Sequence, residues 1–121
     1  MNELEIKNTI FDSIKHIDEE GREYWSAREL QKVLEYKEWR KFENVIANAK
    51  DARNGSNYSI MNHFVFKDKM INIAKGAKRK IQDYKLLRYA CYLIAQNGDS
   101  RKKVISLAQT YFAIQTRKQL W

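Results

Sequence analysis

The sequence predicts a single α+β domain that is mostly helical, with about five helices and a small β-hairpin. Apolar residues recur at helical spacing in most of the chain, whereas short β-branched and aromatic runs flank one basic turn. The 121 residues include no proline and only four glycines, so nothing reads as a linker. A chain of this length buries about two-thirds of its unfolded surface. We therefore expect one domain over residues 1–121.

The N-terminal half is predicted to hold three helices. Four isoleucines share one face of the first helix: Ile6, Ile10, Ile14 and Ile17. Ser26 and Glu29 form a capping box at the start of a short second helix. After a break at residues 36–37, a longer third helix carries one apolar face: Trp39, Phe42, Ile46 and Ala49. The last two make a helix-turn-helix-like pair, a pattern that generic helix packing also produces.

The C-terminal half is predicted to hold the hairpin and two further helices. Residues 70–84 read as a β-hairpin with a basic tip, although a helix over residues 67–74 remains an alternative. Residues 86–95 are apolar nearly all round, which is typical of a buried helix, and Cys91 is expected to be a buried thiol. Gly98 suits a left-handed C-cap. A last helix over residues 101–118 has a wide apolar stripe, compatible with a homodimer: Tyr111, Phe112 and Ile114.

Charge divides the chain into two unlike halves. Residues 1–60 carry 10 Lys and Arg against 12 Asp and Glu, whereas residues 61–121 carry 13 against 3. A half with a net charge of +10 suits a polyanion, and nucleic acid is the commonest one, although a solvated lysine-rich surface has the same composition. The segment of residues 51–59 holds Asn54, Gly55, Ser56 and Asn57 together and is expected to be a mobile loop.

Basic residues in three places are the candidate nucleic-acid contacts. Three cations at the start of the last helix oppose the helix dipole, and a bound phosphate would offset that cost. A basic hairpin tip beside a helix pair is the second place, and the helix pair itself is the third. The predicted set is Lys75, Lys78, Arg79, Lys80, Lys85, Arg101, Lys102, Lys103, Arg40 and Lys41. Plain surface charge is the alternative for each cluster.

Other side chains are assigned to structure. Tyr84, Tyr89 and Tyr92 alternate with cations and could stack on bases. Tyrosine at helical spacing more often belongs to a core, and that interpretation is favoured here. Trp25 and Trp39 are also assigned to the core, and the terminal Trp121 to an interface.

The sequence gives little support to catalysis. One cysteine and two separated histidines make a zinc site improbable, and there is no glycine-rich phosphate loop. We predict no enzymatic activity, no cofactor and no metal. A small Mg²⁺-dependent nuclease using Asp68 or Asp83 is the alternative.

Several long motifs resemble the DNA-damage-inducible protein D (DinD) family: residues 83–99, 108–117, 24–30 and 39–42. Residues 25–36 also resemble the BRO N-terminal domain of phage antirepressors, a DNA-binding module. The resemblance covers nearly the whole chain, whereas DinD proteins continue well past it. Lys67, Lys75, Lys80 and Lys103 make this chain more basic than the family pattern.

The resemblance implies a BRO-N type of α+β fold, a bacterial context with mobile elements or phage nearby, and a role in DNA transactions of the damage response. We therefore predict a non-enzymatic domain that binds single- or double-stranded DNA. The alternative is an inhibitor that docks on a host nucleoprotein complex, such as a RecA filament or a CRISPR effector. With no apolar stretch near 20 residues, a cytoplasmic protein without membrane contact is expected.

Overall fold

The computed structural model describes residues 10–51 and 63–120, with side chains up to residue 113. Residues 10–13 are helical, and residues 74–76 form a 3₁₀ turn. The main elements are β1 (Lys15–Ile17), β2 (Glu23–Ser26), α1 (Ala27–Val33), α2 (Trp39–Asp51), β3 (Phe64–Asn72), β4 (Lys78–Leu87), α3 (Arg88–Gln96) and α4 (Lys103–Leu120). The expected loop after Asp51 lies outside the described residues.

The four strands form one antiparallel sheet in the order β1-β2-β4-β3. The α+β class therefore fits, but a mostly helical domain with a small hairpin is wrong. The predicted hairpin exists as β3 and β4, paired from Phe64 with Leu86 to Asn72 with Lys78. It is longer than predicted because β3 begins at Phe64, and β2 joins β4 on its other side.

The predicted first helix is wrong beyond residue 13. Lys15–Ile17 pairs with Glu23–Trp25 as a strand, and Ile17 is 57% exposed. Asp18 bends the chain between the two strands, because its carboxylate accepts hydrogen bonds from the backbone N–H groups of Glu20 and Arg22. Gly21 completes this turn with a φ of +80°. Isoleucine spacing could not reveal a strand whose partner lies after a turn. Ile6 lies outside the described residues.

The helix pair forms where it was predicted. The Ser26 hydroxyl accepts a hydrogen bond from the Glu29 N–H at 3.4 Å and caps α1. The other half of the capping box differs, because Glu29 Oε1 lies 2.6 Å from His16 Nε2 on β1. Between α1 and α2, Glu35 adopts a left-handed φ of 64°, and the Gln31 side chain donates to the Tyr36 carbonyl.

The core lies between the sheet and the helices. Trp25 is fully buried, its Nε1 donates to the Phe11 carbonyl at 3.0 Å, and its ring meets Phe112 edge-on at 5.1 Å. Cys91 is buried as predicted, and burial raises the pKa of its thiol well above the usual range. The other largest buried side chains come from both halves: Phe11, Phe42, Leu30, Leu34, Ile46, Leu86, Ile94 and Ile105.

The two C-terminal helices differ from prediction in three details. α3 begins at Arg88, because Leu86 and Leu87 belong to β4. Gly98 is not left-handed: its absent side chain gives room to Ile105, whose Cδ1 would lie 2.9 Å from an added Cβ. Tyr111 and Phe112 are buried in the core of the same chain, so they do not form the dimer stripe that was predicted. The side chain of Ile114 lies outside the described residues.

Candidate nucleic-acid interface

The outer part of the β3–β4 hairpin, residues 67–82, extends beyond the core, and we call it the β-arm. Each of its residues is exposed or half-buried, whereas Phe64 and Leu86 at its base are buried. At about 3.4 Å per residue, five residue steps along β3 make it about 17 Å long before the tip. The arm therefore presents both faces of a two-stranded ribbon to solvent.

The tip of the arm is a tight turn. The Ile73 N–H donates to the Ala77 carbonyl at 2.9 Å and closes a three-residue loop. Within the loop, Lys75 and Gly76 have φ values of 62° and 75°. Glycine adopts this left-handed conformation at no steric cost, whereas lysine does not. The turn thereby holds the Lys75 side chain at the end of the arm.

Positive charge is concentrated on the arm. Residues 67–82 contain six basic residues and one acidic residue, Asp68, which lies 4.0 Å from Lys80. Four of the predicted contacts lie here, and all four are exposed: Lys75, Lys78, Arg79 and Lys80. Lys67 and Lys69 belong to the same surface but were not among the predicted contacts, because the hairpin was expected to begin at Met70. The Phe-Val-Phe run before them was the signal of a longer strand.

The arm is anchored to the body through its base. Asp83 is buried, and its carboxylate accepts hydrogen bonds from the Ser26 hydroxyl at 2.6 Å, the Arg28 N–H at 3.0 Å and the Tyr84 N–H at 2.8 Å. Arg28 Nε also donates to the Gln82 carbonyl at 2.7 Å. These bonds join the start of α1 to β4, so Asp83 has a structural part here.

Lys85 differs from the other predicted contacts. Its Nζ lies 2.7 Å from Asp18 Oδ2 and 4.9 Å from the centre of the Tyr24 ring, and its side chain is 17% exposed. The hydrogen bond from Lys85, together with those from Arg22, holds the pKa of Asp18 well below its usual range. Lys85 thus ties β4 to the β1–β2 turn and is poorly placed to meet a phosphate.

The cations at the start of α4 also have partners within the chain. Arg101 Nε and Nη2 each lie 3.0 Å from the Asp99 carboxylate, which lowers the pKa of Asp99 and raises that of Arg101. Lys102 Nζ donates to the Glu35 carbonyl at 3.2 Å and lies 4.3 Å from the centre of the Tyr36 ring. Lys103 is exposed. The chain itself therefore compensates much of the charge that was expected to need an anion.

Arg40 and Lys41 are exposed in the first turn of α2. Lys41 Nζ lies 3.9 Å from Glu38 Oε2 in a solvent-exposed pair. The residue before them, Trp39, stacks on Tyr84 at the base of the arm with 6.4 Å between ring centres. The guanidinium of Arg28 lies over the Trp39 ring, with its Cζ 3.8 Å from the ring centre. The start of α2 therefore lies beside the base of the arm.

The aromatic residues near these cations pack mainly inward. Tyr84, Tyr89 and Tyr92 are half-buried against the core, as are Trp39 and Tyr36. Burial raises the pKa of Tyr84, and the nearby carboxylate of Glu43 acts in the same direction. Their assignment to the core agrees with this packing. Trp121 lies outside the described residues.

Comparison with known proteins identifies the family. The profile of the BRO family, N-terminal domain, matches residues 13–113, which is most of the chain. The chain belongs to the BRO N-terminal domain family. It is also 50% identical over 109 residues to "DNA damage-inducible protein D" of Escherichia coli strain K12. The match covers 90% of this chain and 40% of that relative, so the chain spans less than half of the relative's length. No solved structure matches the chain.

None of the helices in residues 10–51 and 63–120 is both long and apolar enough to span a bilayer. Within the same part of the chain, no three His, Cys, Asp or Glu side chains come together in a way that could hold a metal ion.

Proposed function

We propose that this BRO N-terminal domain binds DNA and that the β-arm makes the main contacts, through phosphates. The observation that carries the proposal is the concentration of six basic side chains and one acidic one on a ribbon that is exposed on both faces. Strands of DNA-binding proteins enter the major or the minor groove of duplex DNA, and there the lysines of the ribbon would reach the phosphates on either side. Membership of the BRO family supports a DNA partner.

The biological setting of the proposal is the DNA-damage response of a bacterium or of a mobile element. It is supported by the 50% identity to a protein named DNA damage-inducible. The remaining predicted contacts have a secondary part. Arg40 and Lys41 lie beside the base of the arm and extend its surface, whereas Arg101, Lys102 and Lys85 are engaged within the chain. Because phosphate contacts carry no base information, we expect modest sequence preference. No catalytic step is part of the proposal.

Fluorescence anisotropy with labelled single- and double-stranded oligonucleotides, at low and near-physiological salt, tests the proposal. We expect binding at low salt that weakens steeply as salt rises. In Lys78→Glu/Arg79→Glu, affinity should fall at least about tenfold, and the slope of log affinity against log salt should fall by about two.

Arg40→Glu/Lys41→Glu is the matched control, because it changes the formal charge by the same amount. We expect its affinity loss to be about threefold or less. Equal losses in the two variants would mean that binding follows net charge and not the arm. Failure of the unaltered protein to bind either oligonucleotide at low salt would contradict the proposal. Docking on a RecA filament or a CRISPR effector stays a prediction, and that outcome would favour it.

A further inference from the structure

Exposed apolar side chains are concentrated on the hairpin. Of the five large apolar residues that are exposed in the described part of the chain, four lie between the base and the tip of the hairpin: Val65, Phe66, Met70 and Ile73, at 41–56% exposure. The fifth, Ile17, is on β1. Phosphate contacts come from charged and polar groups, so the exposed apolar side chains of the hairpin are candidates for a contact of another kind.

Of these four side chains, Ile73 lies nearest to the tip loop. It is 47% exposed and immediately precedes the tip loop, and its own N–H closes that loop on Ala77. A β-branched side chain on a closed turn has few rotamers, so little entropy is lost when it enters a narrow space. Lys75 follows it at the tip and Asn72 precedes it, opposite Lys78.

A second copy of the chain is a poor partner for this surface. β3 is an edge strand of the sheet, and edge strands can pair with one another. Two-fold pairing of β3 centred on Asp68 would place Asp68 opposite Asp68 of the second copy, and Lys67 opposite its Lys69. Like charges directly opposite each other destabilise a strand pair. The net positive charge of the arm also opposes self-association.

Stacked bases between two phosphate rows fit the surface better. Architectural proteins place Lys, Arg, Asn or Gln in the minor groove and insert apolar wedges such as Ile or Met between base steps, which kinks the duplex. The arm combines these parts: an exposed Ile73 at the end of a ribbon, flanked by Asn72, Lys75 and Lys78.

We infer that Ile73 is a wedge that enters between base pairs from the minor groove, so that binding of the β-arm bends duplex DNA. This inference rests on the proposed DNA binding and adds an activity to it. Lys75 and Lys78 hold the phosphates on the two sides of the groove, and Ile73 partially unstacks the step between them. Affinity comes mainly from the lysines, whereas the bend comes from Ile73.

Energy transfer between dyes at the two ends of a short duplex tests the inference, with anisotropy recorded on the same duplex. A duplex of about 18 base pairs is about 60 Å long, and a kink of about 60° would shorten its end-to-end distance to about 53 Å. The unaltered protein at saturation should produce a shortening of this order. Ile73→Ala should abolish it while weakening binding by no more than about threefold, and Ile73→Met should retain most of it.

Ile17→Ala is the matched control, because it removes an isoleucine of similar exposure, 57% against 47% for Ile73, from β1. This variant should bend DNA as the unaltered protein does. Circular dichroism of each variant reports its folding. Saturated binding without shortening would overturn the wedge and leave DNA binding intact. Unchanged bending by Ile73→Ala would also overturn it. Sedimentation that shows a dimer dissociated by Ile73→Ala would assign the apolar surface to a second copy. Absence of binding would overturn both proposals.

Discussion

The two ends of β4 differ sharply, although they belong to one strand. At the inner end, Leu86 is fully buried and Asp83 joins the strand to α1. At the outer end, residues 78–80 are exposed on a ribbon shared with β3. The inner end stabilises the fold, whereas the outer end carries the charges of Lys78, Arg79 and Lys80, which would destabilise a core. This separation lets the arm carry exposed charge at little cost to the stability of the body.

Two phenylalanines test this separation with the largest expected effect. Phe112 is fully buried against Phe11 and Trp25, whereas Phe66 is 56% exposed and meets Tyr84 edge-on at 5.7 Å. Phe112→Ala should lower the free energy of unfolding by about 3–5 kcal/mol. Phe66→Ala should lower it by less than about 1 kcal/mol. Urea denaturation measures both, and losses of equal size would show that the hairpin beside the arm is part of the core.

A buried ion pair in the body gives the next largest effect. Arg88 is 4% exposed, and its guanidinium binds the carboxylate of Glu23 on β2. Burial alone would raise the pKa of Glu23, but its hydrogen bonds and charge interactions with Arg88 and Lys15 together lower it below its ordinary value of 4.5. Glu23→Gln should lower the free energy of unfolding near neutral pH by about 1.5–3 kcal/mol.

The pH dependence of that difference follows from the direction of the shift. Because the pKa of Glu23 is lower in the folded state, its contribution is complete above its ordinary value and is lost as the pH falls through the folded value. The difference between Glu23→Gln and the unaltered protein should therefore shrink below about pH 4.5. Denaturation at a series of pH values measures it. A difference that grows in acid would contradict this account.

Two glycines contrast the body with the arm at a smaller scale. Gly98→Ala should cost about 1–3 kcal/mol through overpacking on Ile105, and Ile105→Val in the same chain should recover part of this loss. Gly76→Ala at the tip should lower the free energy of unfolding by about 1–2 kcal/mol. The whole loss comes from its positive φ, since nothing lies within 4 Å of the added Cβ. Thermal denaturation of the three variants compares them. An unchanged Gly98→Ala would contradict the close packing with Ile105.

The smallest effect is expected at the start of α4. Arg101 is 90% exposed at its side chain and already bound to Asp99, so Arg101→Gln should leave the free energy of unfolding nearly unchanged. DNA affinity should change less than twofold, whereas Lys78→Gln on the arm should weaken it more. Anisotropy at one low salt concentration measures the DNA affinity of both variants. A larger loss for Arg101→Gln would move the main phosphate contact to α4.

Local sequence patterns determined the elements whose defining residues are close together along the chain. The spacing of Phe42, Ile46 and Ala49 determined the buried face of α2, and Ser26 determined the start of α1. The basic turn at residues 74–77 was also visible, because its flanking runs pair with each other across a short loop. The excess of positive charge in the C-terminal half is a property of composition, and six of its 13 cations belong to the arm.

Only the tertiary structure decided which cations bind partners far away along the chain, and where β1 and β2 lie. Lys85 and Lys102 look like Lys78 in the sequence, yet Asp18 is 67 positions from Lys85 and the Glu35 carbonyl is 67 positions from Lys102. Pairing of β2 with β4 joins residues about 60 positions apart. Pairing of β1 with β2 makes a strand of Lys15–Ile17, where isoleucine spacing indicated a helix. Local periodicity holds no information on such pairings, because they depend on chain closure and on the burial of Trp25, Leu86 and Phe112 in a shared core.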